Sequence, residues 1–141
     1  MKTLHLHIQS QTEKLNLVRD FVSAAAQKFG FDEETIGKII LAVDEACTNI
    51  IKHSYGYGPH HDIDIEIGQD GKKFEIIITH RGKSFDPGAV RTPDMKEYLS
   101  HFRRGGLGIH LMRSLMDVVE YTTLPDQSNV VRLVKYLPVK V

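Results

Sequence analysis

Glu45 and Asn49 stand four residues apart within residues 32–55, DEETIGKIILAVDEACTNIIKHSY. In a helix that spacing is one turn, which makes the two side chains neighbours with Cβ atoms roughly 5–6 Å apart. A carboxylate and a carboxamide oxygen so placed can share a task, holding a hydrated divalent cation and steering a nucleophile beside it. The same pair also suits two solvated residues on a polar helix face, so its meaning depends on what else converges on it. Two other stretches can. In residues 103–109, RRGGLGI, Gly105, Gly106 and Gly108 let the backbone approach a ligand, and the first N–H groups of the helix they open favour an anion. This is a phosphate cradle in form, without the Gly-Lys-Ser/Thr ending of a Walker loop, and a flexible hinge before a helix is the competing reading. In residues 78–87, ITHRGKSFDP, the chain leaves an apolar strand through a sharp turn at Gly82.

The elements that must position these groups are set by periodicity. Residues 3–8 alternate, with Leu4, Leu6 and Ile8 to one side and His5 and His7 on a wet face. Ser10 and Glu13 have the form of a capping box, ahead of Leu15, Val18, Phe21, Val22, Ala25 and Phe29 at helical spacing, with Gly30 as the stop. Asp32 is the expected N-cap of the central helix, and Glu33 and Glu34 suit its positive end. Its apolar face is Ile36, Ile39, Ile40, Val43, Cys47, Ile50 and Ile51, and Gly56, Gly58 and Pro59 end it. Residues 62–68, DIDIEIG, and 73–79, KFEIIIT, are two strands joined by an Asp70-Gly71 hairpin turn. Residues 80–108 read as a long loop, with a short helix possible at 94–102. A further helix runs from Gly108 to about Asp117, and two strands, 118–123 and 130–137, close the chain around the turn LPDQSN. The order predicts one domain, residues 1–141, with helices on one face of a mostly antiparallel mixed sheet, an α/β two-layer sandwich.

Composition excludes several classes of function. Lysine plus arginine and aspartate plus glutamate each number 18, so no field selects nucleic acid or a membrane surface. The single cysteine, Cys47, lies on the apolar face of the central helix and reads as a packed thiol; a cytoplasmic, disulfide-free protein is expected. No stretch approaches the ~20 apolar residues of a membrane span. His53, His60, His61 and Asp62 are close enough in sequence to suggest a metal site, with solvated loop histidines as the alternative. His101 and His110 have no partner legible in the sequence.

Taken together, EACTNIIKHSY resembles the N box, ITHRGKSFDP the first glycine box, and GGLGIHLMRSLMDVVEY the second glycine box of the GHKL (Bergerat-fold) ATPases and kinases. The resemblance covers roughly residues 10–137 and is nearest to the bacterial anti-sigma-factor serine/threonine kinases. It implies a pocket for ATP and Mg2+ between the helices and a lid at about residues 87–104. Glu45 matches the family's general base, and Asn49 its magnesium ligand, which also holds the phosphates. Gly82 matches the glycine that passes close to the base, while Gly105, Gly106 and Gly108 match the phosphate cradle. Arg91, Lys96, Arg103 and Arg104 are candidate lid cations, and Lys52 and His53 sit where the family commonly has such residues. The implied activity is phosphorylation of a STAS-type anti-anti-sigma protein by a homodimer that also binds a sigma factor.

One position departs from the pattern. Where the family carries an aspartate that accepts from the adenine amino group, this chain has His80, and Asp86 belongs to the later part of the box. Three readings are open. A neutral His80 accepts from adenine through its single acceptor nitrogen; or it donates, which suits the carbonyl of guanine; or the fold serves as a protein-binding module without nucleotide.

Overall fold

A computed structural model describes residues 2–56, 58, 60–81 and 105–138. Gly82, the lid with its four basic residues, the possible helix at 94–102 and Pro59 lie outside the described residues. Strands β1 (Lys2–Gln9), β2 (Asp62–Asp70), β3 (Lys73–His80), β4 (Val118–Thr123) and β5 (Asn129–Tyr136) form one sheet in the order β1-β2-β3-β5-β4. Every pairing among them is antiparallel. Helices α1 (Leu15–Phe29), α2 (Glu33–Asn49) and α3 (Gly105–Leu115) cover one face. The architecture is the expected two-layer sandwich.

Period-two alternation decides which face is covered. Ile63, Ile65, Ile67, Phe74, Ile76, Ile78 and Leu133 point toward the helices and are completely buried, each such side chain contributing roughly 1.5–3 kcal/mol of burial. On the opposite face His5 lies 3.5 Å from Asp64 and His7 lies 2.8 Å from Asp62, both pairs exposed. Arg132 there joins Glu75 to Glu120 across three strands.

α2 is the middle helix of the layer, packed on α1 to one side and α3 to the other. Being flanked twice, it buries more than one stripe. Ile39, Val43, Cys47, Ile50 and Ile51 are buried as expected, Ile36 and Ile40 only partly, and Ala42 and Ala46 are added where neighbouring backbones approach closely. Asp32 caps α2 by accepting from the Thr35 amide at 2.8 Å, and hydrogen bonding to the Thr35 side chain, then to that amide, lowers the carboxyl pKa. Gly30 ends α1 at φ +114°, its N–H shared between the Ala26 and Gln27 carbonyls, as the stop requires.

Four local expectations are corrected. Ser10 caps nothing: α1 begins at Leu15 after a 3-10 turn, Thr12–Lys14. The Ser10 hydroxyl is buried, donating to the Gly58 carbonyl and accepting from the His61 amide, so a tertiary partnership has displaced the local one. The hairpin loop is Gly71-Lys72, because Asp70 still pairs with Lys73; Gly71, at φ +60°, takes the first loop position, where only glycine turns without strain. α3 begins at Gly105, three residues ahead of the periodic signal, so the glycines form its first turn. His80 belongs to β3 rather than to the loop, since it pairs with Ile63 on one side and Asn129 on the other.

Candidate functional site

Glu45 is half-buried on α2 and Asn49 is buried at its last residue, 7% exposed. The Asn49 amide nitrogen, Nδ2, has no hydrogen-bond acceptor among the described residues. A buried amide left unpaired costs about 1–3 kcal/mol, so such a group calls for an acceptor that the described residues do not supply. α3 packs along α2, with its Ile109 and Met112 completely buried, and its first turn holds Gly105, Gly106 and Gly108. The first amides of a helix have no intrahelical partner and face an anion favourably. A carboxylate, an unpaired amide donor and a glycine-opened helix start therefore lie on two packed helices.

Beyond Asn49 the helix changes pitch. Residues Ile50–Ser54 form a π turn, closed by the bond from the Tyr55 amide to the Ile50 carbonyl at 2.9 Å. The wider turn carries one extra residue and rotates the residues after it relative to a regular α-helix. Tyr55 consequently reaches the sheet. Its hydroxyl donates to the Asp62 carbonyl at 2.7 Å and accepts from the Arg81 amide at 2.8 Å. Its ring stacks on His61 with centroids 4.3 Å apart, and meets the His80 ring edge-on at 6.0 Å.

His80 is 3% exposed, and its Nδ1 has no partner among the described residues. Burial pushes its imidazole down to about 4, so the ring is neutral at physiological pH, with one donor and one acceptor nitrogen. A cleft of about 500 Å³ opens at this end of the sheet, lined by His60, His61, Thr79, His80 and Arg81 among others. Among the described residues no group of three or more histidine, cysteine or carboxylate side chains is arranged to hold a metal. The loop histidines are nevertheless more than solvated side chains, since His61 stacks on Tyr55 and gives its amide to Ser10. Cys47 is completely buried and its thiol is pushed up to about 12 by that burial, as a packed, unreactive side chain should be.

Of the groups singled out in the sequence, Glu45, Asn49, Gly105, Gly106 and Gly108 are brought onto adjoining helices, while His80 joins them through Tyr55 at the end of the π turn. Tyr55 has no role legible in the sequence. Its signal there is an aromatic residue closing the stretch that resembles the N box, which does not reveal a hydroxyl bridging two strands.

Residues 8–135 match the family described as the Histidine kinase-like ATPase domain. The chain is 33% identical over 140 residues to the serine-protein kinase RsbW of Halalkalibacterium halodurans, covering 96% of this chain and 84% of that protein. It is 30% identical over 140 residues to serine-protein kinase RsbW of Bacillus subtilis, covering 95% and 85% respectively. Among solved structures it is similar to the RsbU and RsbW domains of Rv1364c from Mycobacterium tuberculosis, with a TM-score of 0.69 at 14% identity. That likeness, which speaks for the fold alone, covers 96% of this chain and 32% of the solved one. With the family match spanning nearly all of the described fold, the chain belongs to the histidine kinase-like ATPase (GHKL) family, in the group of the RsbW serine-protein kinases.

Proposed function

We propose that this chain is an ATP- and Mg2+-dependent serine/threonine protein kinase of the anti-sigma type. In this reading it acts in the cytoplasm as a homodimer, binds a sigma factor, and phosphorylates a STAS-type anti-anti-sigma protein. The observation that carries the reading is the buried amide of Asn49, without an acceptor among the described residues and one turn from Glu45, on a helix packed against α3, whose first turn holds the glycines. These residues fit a nucleotide with its metal. A donor without an acceptor suits a phosphate oxygen, and the glycine turn presents unpaired amides to the same charge.

Asn49 would hold the metal through its side-chain oxygen and a phosphate oxygen through Nδ2. The amides of the first turn of α3 would hold the remaining phosphates. When bound, the metal supplies neutralisation of the charge on the transferred group. Glu45 orients the acceptor hydroxyl and takes its proton at a carboxylate oxygen. His80, neutral and buried, presents a single hydrogen-bonding nitrogen to the base in place of a carboxylate.

The test is thermal unfolding with and without magnesium and ATP, and then transfer of labelled phosphate to a STAS-type protein. Ligand at about 100 times its dissociation constant stabilises the native state by ~2.7 kcal/mol, several degrees for a chain of this size. Glu45→Gln is expected to keep that shift and lose transfer by about 100-fold or more. Turnover at the wild-type rate in that variant removes Glu45 from its role.

A second reading, a protein-binding module without nucleotide, is favoured by one observation: a carboxylate acceptor has been replaced by a dry, neutral imidazole. A magnesium–ATP shift absent from the wild type and present in His80→Asp selects it.

A further inference from the structure

In the β2–β3 ladder the last paired residues are Ile63 and His80, and the next rung in the same register would join Asp62 to Arg81. That rung is not made directly. The Tyr55 hydroxyl sits in it, taking the Arg81 amide at 2.8 Å and giving its own proton to the Asp62 carbonyl at 2.7 Å. A single phenol oxygen thus stands where the inter-strand bond would be, and spreads the two strands apart at the residue after His80. The phenol reaches this place because the π turn Ile50–Ser54 comes directly after Asn49, so the helix that carries Asn49 is fastened to the end of β3. The ring closes the assembly, edge-on to His80 and stacked on His61.

We propose that Tyr55 is a positioning residue of the nucleotide site, which seats the base-facing His80 and fixes the point where the chain leaves β3 by substituting its hydroxyl for the last rung of the ladder. This rests on the kinase reading above. Without the hydroxyl, Arg81 and Asp62 can pair directly, zipping the ladder by one rung, or part and admit water. Either change moves His80 relative to Asn49 while leaving Asn49 and the glycine turn of α3 in place. The consequence is confined to the base end of the site.

Tyr55→Phe keeps the stack on His61 and the contact with His80 and removes only the bridging oxygen. The probes are magnesium–ATP and magnesium tripolyphosphate, which carries the phosphates without a base, each titrated calorimetrically into the full chain. The expected result is a roughly tenfold weaker affinity for ATP, the scale of one well-placed hydrogen bond, with tripolyphosphate affinity unchanged. Equal losses for both probes mean a general loosening and overturn the proposal, as does ATP affinity equal to wild type. A wild-type chain that binds neither probe overturns the kinase reading and this assignment with it. Amide hydrogen exchange supplies an arm independent of ligand. The Arg81 amide is expected to be protected in the wild type and to exchange at least about tenfold faster in Tyr55→Phe. Should the variant fail to fold, the wild type decides, because an Arg81 amide exchanging at the rate of an unprotected one excludes the bridge.

Discussion

Acidification tests the buried state of His80 directly. An imidazole has an ordinary pKa near 6.5, which this chain keeps when unfolded, whereas burial holds the folded ring down to about 4. Between those values the unfolded chain binds a proton that the native protein refuses, so stability rises with pH across this window. His80 therefore costs nothing above about pH 6.5 and destabilises progressively as pH falls toward 4. The full difference is about 3 kcal/mol, of which about 2 kcal/mol is already lost between pH 7.5 and pH 5. In urea unfolding that is a midpoint drop of roughly 1 M. The measurement is a comparison of slopes between wild type and His80→Gln, which cannot titrate at this position, so that contributions common to both chains cancel. The wild type is expected to lose about 2 kcal/mol more than the variant over that interval. Parallel pH profiles refute the reasoning, since they require a His80 ring that is hydrated or paired in the native state. On the reading in which His80 accepts from a base, the same shift predicts that the accepting nitrogen is kept at neutral pH and lost only as pH approaches 4.

Ser10→Ala removes a buried hydroxyl that serves both the Gly58 carbonyl and the His61 amide; a loss of about 1–3 kcal/mol by chemical denaturation is expected, where a mere surface cap would cost less. Asn49→Ala is expected to lower the melting temperature of the ligand-free protein very little, because the amide nitrogen it deletes has no acceptor among the described residues, while abolishing the magnesium–ATP shift. A variant that melts far below wild type yet still responds to nucleotide reverses both parts of that assignment.

The central helix, its N-cap and the alternating strands are legible in the sequence because each rests on spacing or on a neighbour a few residues away. Asp32 caps from three residues off, and the isoleucines of β2 and β3 each read their face from period two. The site pair is legible for the same reason, since Glu45 and Asn49 are one turn apart whatever surrounds the helix. Ser10 defeats local reading because two partners from residues 58 and 61 outcompete the helix end beside it. His80 defeats it too: a polar residue beside arginine and glycine reads as the start of a loop, yet two neighbouring strands hold it in the ladder and bury its ring.

By itself the sequence determined the layer architecture and the two helices that bear the candidate chemistry, because residue type and period are local; that His80 stands where a carboxylate is expected follows from the resemblance to the family. Only the tertiary structure decided that Asn49 ends the α-helix at a π turn, that its amide is buried without an acceptor among the described residues, and that Tyr55 stands in the last rung between β2 and β3. Burial and an absent partner are properties of everything packed around a group, and no spacing along the chain records them.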